Sequence, residues 1–387
     1  MKAADENRGS MTNLVLISHL YDGKRGKISY LNDADQIVRQ DLLDANEKPA
    51  RAMFFDNEGR CVLYNVQLNS QIQYWVLFGE NWEEITFKSE SDLALYWLKN
   101  CNADILTDNV CITEWATDVP FFRQVNEAMN TKFAIQFHSN HLAGNRRYGI
   151  TQTKLKATIN AANDLGEIVV LTDDQRADIL KEFSGLSQVT AIPHYVEVPD
   201  DFAGNRNPKT VVALARFVDG KRIQNIIIAF EKVVREVPDA KLEIWGYGTM
   251  EPIYEREISK AGLQNNVTIC GYTDNPFQVY RKAAVSVFAS TFEGFNMSLV
   301  ESVLCGCVPV SLDFKYGPRH SIVNGVTGFV TDPENFDELS DAIIFLLKRP
   351  DVARKMAAAG VQRMQRINSP ATILAKWMDL FDRLGAR

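Results

Sequence analysis

A change in periodicity at Ser89 constrains the fold of this chain more than any other feature of its sequence. Before this residue, short β-like segments follow one another from about Leu14 to Phe87, separated by turn clusters such as Asp56-Asn57-Glu58-Gly59. Successive short strands with such turns and no helical segment predict an antiparallel meander. After Ser89, β-like and helical segments alternate, which predicts parallel sheets covered by helices. We therefore expect an α/β protein that carries an antiparallel β module.

The same pattern divides the chain, whose 387 residues exceed one ordinary core. We predict a disordered lead (1–12), the meander (13–88), a partial Rossmann-like domain (89–196), a polar linker (197–209), a second Rossmann-like domain (210–370) and a final cross-over helix (371–387). The strands expected in the first Rossmann-like part are Asp104 to Thr107, Phe133 to Phe137, Ile168 to Leu171 and Val189 to Pro193. Those expected in the second are Val211 to Leu214, Leu242 to Trp245, Val267 to Cys270, Val285 to Phe288 and Val308 to Leu312. Such alternation predicts a doubly wound domain.

Composition excludes several classes of protein. With 46 % hydrophobic and 24 % charged residues, the chain has the make-up of a folded globular protein. Its apolar runs fall far short of the roughly 20 residues that span a bilayer, so we expect at most peripheral membrane contact. A net charge of −7 argues against a nucleic-acid binder, which needs a broad basic face. Six cysteines without framework spacing indicate a reduced, cytoplasmic protein, with the inner face of a membrane as a further location.

In doubly wound folds, ligands bind outside the carboxyl ends of the strands, and two loops at such ends carry charge here. Arg216 and Lys221 follow the strand that ends at Leu214, and an arginine fork with a lysine charge suits a diphosphate. After the strand that ends at Phe288, Glu293 and Glu301 flank the start of a predicted helix, whose free amides attract anions. Taken singly, these groups could also be solvated surface charges.

The residues that carry a family resemblance lie in the second Rossmann-like part. In chain order they are Arg216 and Lys221, Gly246-x-Gly248, Gly271-Tyr272, Glu293-Gly294-Phe295 and Glu301. This set resembles the C-terminal half of the retaining glycosyltransferases of family four. The resemblance implies an α/β fold of the GT-B type, with two Rossmann-like domains and the meander as an insertion.

Further segments narrow the resemblance. They are the meander itself, Gln136-Phe137-His138-Ser139-Asn140-His141, Val170-Leu171-Thr172-Asp173-Asp174-Gln175 and Lys315-Tyr316-Gly317-Pro318. Together they resemble the enzymes that glycosylate wall teichoic acids, whose relatives glycosylate serine-rich adhesins. The resemblance implies transfer of glucose or N-acetylglucosamine from a UDP-sugar to a hydroxyl of a polyol-phosphate polymer. It leaves two alternatives: an adhesin glycosyltransferase, or a noncatalytic partner of such an enzyme. It also implies homo- or hetero-oligomers formed through the meander.

The roles of single residues follow from the resemblance alone. Arg216 and Lys221 would neutralise the diphosphate leaving group, Glu293 would hold sugar hydroxyls, and His138 would lie beside the donor sugar at the acceptor face. These four are the implied catalytic residues. Glu301 would bind the ribose and the amides from Phe295 to Leu299 the phosphates. The remaining implied nucleotide contacts are Gly246, Tyr272, Gly294 and Asn296.

We expect no metal and no cofactor beyond the UDP-sugar substrate, because no Asp-x-Asp pair follows a predicted strand. His138 and His141 could instead form a His-x-x-His metal pair or be structural, although no third ligand is evident. Members of the family begin with a βα unit whose glycine-rich loop approaches the donor phosphates. Here the meander begins almost at once, so we expect the N-terminal Rossmann-like domain to be incomplete. A shortened chain and a natural short form both fit this expectation.

Overall fold

The computed structural model describes residues 15–385 except 22, 102, 115, 146–148 and 199–205. The lead expected at 1–12 and the middle of the linker expected at 197–209 lie outside these residues. By its internal contacts the chain divides into two units. The first comprises Met1–Thr107 and Glu127–Met129, and the second Asp108–Asn126 and Asn130–Arg387.

The first unit is built on a seven-stranded antiparallel sheet in which each strand pairs with the next along the chain. Its strands are β1 (Val15–Tyr21), β2 (Lys24–Leu31), β3 (Ile37–Leu43), β4 (Pro49–Phe55), β5 (Cys61–Leu68), β6 (Gln71–Phe78) and β7 (Glu84–Phe87). The helices α1 (Glu90–Cys101) and α2 (Ala103–Leu106) follow. The predicted antiparallel meander is therefore confirmed.

The turn residues of the sequence explain why this sheet forms. The side-chain oxygens of Asn32, Asp44 and Asp56 each accept a hydrogen bond from the amide two residues later, at 2.8 to 3.0 Å. The fourth residue of each of these turns has a positive φ. Asx turns that end in a left-handed residue close three-residue hairpin loops, so the same local chemistry reverses the chain three times.

The second unit contains two parallel sheets flanked by helices. The four-stranded sheet has the order β11-β10-β9-β8 and the six-stranded sheet the order β14-β13-β12-β15-β16-β17. The elements of the first are β8 (Val110–Thr113), α3 (Val119–Met129), β9 (Lys132–Gln136), α4 (Thr153–Leu165), β10 (Gly166–Val170), α5 (Asp173–Glu182) and β11 (Val189–Ala191). Those of the second are β12 (Asn207–Leu214), α6 (Ile223–Glu236), β13 (Lys241–Trp245), α7 (Glu251–Lys260), β14 (Val267–Gly271), α8 (Pro276–Lys282), β15 (Ala283–Phe288), α9 (Met297–Leu304), β16 (Val308–Leu312), α10 (Pro318–Ser321), β17 (Phe329–Thr331), α11 (Phe336–Lys348) and α12 (Pro350–Ile367). The last helix is α13 (Pro370–Leu384).

One predicted strand is wrong. Residues Asp104 to Thr107 do not form a strand: the helix α2 ends at Leu106, and the edge strand of the four-stranded sheet is β8. Ile105 is 65 % exposed, so this short apolar run is not the buried strand that its composition suggested. A run of this length cannot be assigned to helix or strand by periodicity. The polar linker also ends earlier than expected, because β12 already begins at Asn207.

The final helix packs on the four-stranded sheet rather than on the six-stranded one. Ile373 and Leu380 of α13 form a buried cluster with Ala134, Val169 and Ile192. The ammonium of Lys376 donates to the Ala191 carbonyl at 2.8 Å, which fixes the helix along β11. Among the described residues, no helix is both long and apolar enough to cross a membrane.

Candidate active site

Two loops that follow paired strands bring opposite charges together. Lys221 ends a 3₁₀ turn after β12, and Glu293 lies in the loop after β15, the neighbour of β12 in the sheet. The Lys221 ammonium forms an ion pair with Glu293 Oε1, and the Ser290 hydroxyl donates to the same oxygen at 2.8 Å. Only 22 % of the lysine side chain and 18 % of the glutamate side chain are exposed. Partial removal from water strengthens the electrostatic interactions of both groups.

Arg216 lies near the start of the loop that carries Lys221, at the C-terminal end of β12. Its side chain is exposed and makes no hydrogen bond or ion pair with a described residue. Two glycines hold this loop in place. A Cβ on Gly246 would lie 1.9 Å from the Ala215 carbonyl oxygen, and one on Gly248 would lie 2.5 Å from that of Phe217. Both have a left-handed φ, 141° and 150°, so glycine is required for β13 to meet this loop so closely.

The N-terminus of α9 lies in the same loop as Glu293. Asn296, with a φ of 66°, caps the helix, and its Oδ1 accepts a hydrogen bond from the Leu299 amide at 3.2 Å. One amide expected to bind phosphate, that of Leu299, is therefore already bonded within the protein. The amides of Met297 and Ser298 belong to the first turn, which has no intrahelical acceptors. Together with the positive end of the helix, they are the part of α9 that suits an anion.

Glu301 lies further along α9, and Tyr272 follows β14. Burial raises the pKa of the Glu301 carboxyl, which places this group in a poorly hydrated environment. Tyr272 is 70 % exposed, and its ring meets that of Tyr247 edge to face at 5.8 Å. The exposed pair of tyrosines follows two neighbouring strands, β13 and β14, and offers an aromatic surface to a flat ligand.

His138 follows β9 of the four-stranded sheet and faces two polar neighbours. Its Nδ1 lies 3.4 Å from His194 Nε2, its Nε2 lies 3.5 Å from Glu114 Oε1, and the two imidazole rings stack at 5.3 Å. Burial, and then the neighbouring His138, lower the pKa of His194. The His194 ring meets Phe295, the residue between Gly294 and Asn296, edge to face at 5.9 Å. This contact joins the histidine pair to the loop that carries Glu293.

Gly294 brings the two sheets of the second unit together at this point. A Cβ on Gly294 would lie 2.1 Å from the His138 carbonyl oxygen and 2.9 Å from the Cα of Ser139. Any side chain would push the loop after β15 away from the loop after β9. Glycine at this position therefore serves the close approach of two backbones, which places His138 in the neighbourhood of Glu293.

A cavity of about 500 Å³ opens on the other side of His138. Its wall includes Glu114, Thr117, Gln136 and Lys154. Gln136 is only 6 % exposed, yet its side-chain amide makes no hydrogen bond with a described residue. The side chain of Gln136 lines the cavity, so a polar ligand there can form hydrogen bonds with its amide group.

His138 and His141 do not act as a pair. His138 faces His194 and Glu114, whereas His141 is completely buried and stacks on Tyr316 at 5.9 Å. Burial lowers the pKa of His141 to about 4. Within the described residues, no group of three His, Cys, Asp or Glu side chains is arranged to hold a metal ion.

Comparison with known proteins identifies the domain that carries the Lys221–Glu293 pair. Residues 197–363 match the family model of the group 1 glycosyl transferases. This chain contains a glycosyltransferase group 1 domain. Its extent includes Arg216, Lys221, Glu293 and Glu301, so the resemblance stated from these residues is confirmed.

Two curated relatives align with nearly the whole of this chain. The poly(glycerol-phosphate) alpha-glucosyltransferase of Bacillus subtilis is 29 % identical over 365 residues, which are 92 % of this chain and 51 % of the relative. The poly(ribitol-phosphate) alpha-N-acetylglucosaminyltransferase of Staphylococcus aureus is 25 % identical over 371 residues, which are 95 % and 73 % of the two chains. The chain thus spans about half the length of the first relative and about three quarters of the second.

Solved structures confirm the expected fold. S. aureus TarM, in complex with Fondaparinux, alpha-GlcNAc-glycerol and UDP, superposes with a TM-score of 0.81 at 24 % identity, over 97 % of this chain and 75 % of TarM. The pneumococcal O-GlcNAc transferase GtfA, in complex with UDP and GlcNAc, gives 0.74 at 17 % identity, over 99 % and 81 %. The chain therefore has the GT-B fold, with its Rossmann-like parts and an antiparallel sheet.

The structure brings together most of the residues named from the sequence. The loop ends that carry Lys221 and Glu293 meet as the strand-end rule predicts, with Arg216 in the same loop as Lys221. Sequence reasoning missed Ser290, which orients the Glu293 carboxylate, and His194, which stacks on His138. Ser290 lies two residues after the end of β15 and could have been found by the same strand-end rule. His194 follows β11, whose short run gave no chemical signal.

Proposed function

We propose that this chain transfers glucose or N-acetylglucosamine from a UDP-sugar to a hydroxyl of a polyol-phosphate polymer, with retention of the anomeric configuration. The observation that carries the proposal is the Lys221–Glu293 pair at the ends of two neighbouring strands in a glycosyltransferase group 1 domain. One group of the pair suits the diphosphate of the donor, and the other suits the hydroxyls of its sugar.

The donor diphosphate binds between two cations and a helix end. Arg216 is exposed and has no partner among the described residues, so its guanidinium is available for a bidentate contact. Lys221 adds a second positive charge, and the Met297 and Ser298 amides add donors at the positive end of α9. These groups stabilise the negative charge that develops on the phosphate as it leaves. Because they already supply positive charge, we propose that the reaction needs no metal ion.

The same geometry supports positions for the uracil ring and the ribose of the nucleotide sugar. The exposed Tyr247–Tyr272 pair supports stacking of the uracil ring, and the half-buried Glu301 carboxylate accepts hydrogen bonds from the ribose hydroxyls. Gly246 holds the Arg216 loop close to β13, which keeps the diphosphate contacts in register with these two groups.

Glu293 acts on the transferred sugar. Its Oε1 accepts from Lys221 and Ser290, and Oε2 has no such partner in the described part of the chain, which leaves it available to the sugar hydroxyls. The acceptor hydroxyl oxygen attacks the anomeric carbon of the sugar from the same face that the phosphate leaves. Its bond to this carbon forms as the bond from the carbon to the phosphate oxygen breaks, and the departing phosphate takes the proton of the hydroxyl. This step requires no protein nucleophile. His138, joined through Phe295 to the Glu293 loop, borders the acceptor hydroxyl.

The cavity beside His138 receives the acceptor. Glu114, Thr117 and the unpartnered Gln136 line it, and such groups can both donate hydrogen bonds to a polyol and accept them. Lys154, in the first turn of α4, supplies a positive charge next to free helix amides for an adjoining phosphodiester.

The share of this chain that aligns with each relative favours a polyol-phosphate acceptor over an adhesin. The two relatives named for poly(glycerol-phosphate) and poly(ribitol-phosphate) align with 92 % and 95 % of this chain. The GtfA subunit of a peptide N-acetylglucosaminyltransferase from Streptococcus gordonii aligns with 67 % of it. The presence of Arg216, Lys221 and Glu293 at the expected positions favours an enzyme over a noncatalytic partner.

The meander provides the surface for assembly with further chains. Leu20 and Tyr21 are 57 % and 62 % exposed on β1, the edge strand of the seven-stranded sheet. Exposed apolar side chains on an unpaired edge favour association. A GtfA/B complex is among the structures that share this fold, at a TM-score of 0.70. A cytoplasmic location is supported by Cys61, Cys111, Cys270, Cys305 and Cys307, which form no disulfides.

Release of UDP tests the proposal. Purified chain is mixed with UDP-glucose, UDP-N-acetylglucosamine and UDP-galactose, each with poly(glycerol-phosphate), poly(ribitol-phosphate), a serine-rich peptide or no acceptor. We expect polymer-dependent release with one of the first two donors, unchanged by EDTA. Binding of UDP without release in any mixture would instead identify a noncatalytic subunit. Release that a serine-rich peptide stimulates and the polymers do not would identify the adhesin enzyme.

A further inference from the structure

The backbone of Glu293 is held by a segment that lies across it. The Glu293 amide donates to the Lys315 carbonyl at 2.9 Å, and the Glu293 carbonyl accepts from the Tyr316 amide at 2.7 Å. The segment continues along the same loop, because a Cβ on Gly317 would lie 2.2 Å from the Phe295 carbonyl oxygen. The position of the Glu293 turn therefore depends on the position of residues 315–317.

One carboxylate of α5, a helix beside the four-stranded sheet, fixes this segment. Asp178, on the second turn of α5, accepts a hydrogen bond from the Tyr316 hydroxyl at 2.7 Å on Oδ2. The same oxygen forms an ion pair with the Lys315 ammonium. A single carboxylate thus holds two consecutive side chains of the segment.

The surroundings of Tyr316 make this contact strong. Its side chain is 1 % exposed, and the fully buried His141 ring stacks on it. Burial, followed by the hydrogen bond to Asp178, raises the pKa of the Tyr316 hydroxyl, so this group remains a hydrogen-bond donor. A buried hydroxyl that loses its acceptor keeps the full cost of its desolvation, and the segment would have to move to relieve it.

We propose that Asp178 is a positioning residue for Glu293. It anchors Lys315 and Tyr316, and their backbone atoms hold the turn that presents the Glu293 carboxylate to the donor sugar. This role rests on the proposed function, because it assigns the Glu293 carboxylate to the sugar. It adds a residue of α5, which accompanies the four-stranded sheet, to the residues that act at the six-stranded sheet. Transfer and recognition of the sugar depend on Asp178, whereas recognition of the nucleotide does not.

The test compares Asp178→Ala, Asp178→Asn and Tyr316→Phe with the wild type. Asp173→Asn serves as the control, because it removes a carboxylate of the same helix that does not contact residues 315–317. Displacement of a reacting group by about 1 Å can cost on the order of a hundredfold in rate. We expect kcat of Asp178→Ala to fall by about tenfold to a hundredfold with the KM for polymer unchanged. Asp178→Asn, which retains an acceptor for Tyr316, should fall less.

Calorimetry supplies a readout that does not need turnover. UDP should bind Asp178→Ala within about twofold of the wild type, whereas the UDP-sugar should lose the affinity that its sugar adds. In the double variant Asp178→Ala/Tyr316→Phe, the loss should be smaller than the sum of the two single losses, because both act through one contact. Circular dichroism and thermal unfolding check that each variant is folded.

The outcomes separate the two proposals. Wild-type transfer together with an Asp178→Ala variant that is folded and equally fast overturns the role of Asp178 alone. Equal losses of UDP and UDP-sugar affinity also overturn it, since they indicate general damage to the domain. A wild type that binds no UDP and no UDP-sugar overturns the proposed function, and the positioning role with it.

Discussion

Glu293→Gln replaces one carboxylate oxygen by an amide nitrogen and leaves the size of the side chain unchanged. In the structure it removes the charge that pairs with Lys221, while the Ser290 hydroxyl can still donate to the remaining oxygen. The uncharged amide holds the hydroxyls of the sugar less strongly as charge develops in the transition state. Loss of one preorganised electrostatic contact of this kind costs about 2.7–4 kcal/mol, or on the order of 10² to 10³ in kcat.

The same substitution is expected to leave the affinity for UDP unchanged or to raise it, although it lowers the rate of transfer. The Lys221 ammonium is bonded to Glu293 in the structure, and it must share its donors when a diphosphate arrives. Without the carboxylate, Lys221 can turn wholly to the phosphates. We therefore expect UDP to bind Glu293→Gln as tightly as the wild type or more tightly, while transfer falls.

Initial rates of UDP release with polymer and calorimetry with UDP measure the two effects on one protein sample. Glu334→Gln is a matched control, because Glu334 pairs with Arg222 on an exposed loop and not with Lys221. A Glu293→Gln variant that transfers sugar at the wild-type rate would refute the assignment of this carboxylate. A large loss of UDP affinity would place Glu293 in the nucleotide site rather than at the sugar.

Three further predictions follow from the structure. Arg216→Ala or Lys221→Ala should weaken UDP binding by about 1.5–3 kcal/mol, the range for a hydrogen bond to a charged group, and unchanged calorimetric affinity in both variants would contradict the diphosphate site. The double variant Leu20→Lys/Tyr21→Lys places two charges on exposed positions of β1, so the mass measured by light scattering should fall towards the 43.7 kDa of one chain, with UDP affinity unchanged. An oligomer of unchanged mass would exclude this edge as the interface. Burial lowers the pKa values of His141 and His320 to about 4, below the usual 6.5. The stability that their neutral forms contribute is therefore complete above pH 6.5 and is lost as the pH falls to 4. Urea unfolding should show a loss in the free energy of unfolding on the order of 3 kcal/mol per histidine, which His141→Phe and His320→Phe should reduce.

The sequence predicts the donor side of the site because the chemistry there is local. Arg216, Lys221 and Glu293 each follow a strand within a few residues, and the carboxyl ends of parallel strands meet at one edge of a sheet. The meander is equally local, since its hairpins depend on turns such as that at Asp44. Where strand ends and turn residues decide which residues meet, the sequence predicts their placement, and the roles assigned to Arg216, Lys221 and Glu293 stay predictions.

The contacts that hold the site together cannot be read in this way. Asp178 and Lys315 are 137 residues apart, and neither belongs to a pattern that points to the other. The role of Gly294 is also hidden, because its need for glycine comes from the backbone of His138 across the second unit. The amide of Leu299 was expected to bind phosphate, whereas in the structure it donates a hydrogen bond to the side chain of Asn296, which caps the helix.

Incorporation of labelled hexose into polyol-phosphate polymer tests the central claim most directly. The wild type is compared with Lys221→Ala/Glu293→Gln, which removes both charges of the pair at the strand ends. We expect the wild type to incorporate one hexose for each UDP released, and the variant to incorporate at least about a hundredfold less. Equal incorporation by the two proteins, or binding of UDP by the wild type without incorporation from any donor, would contradict the claim.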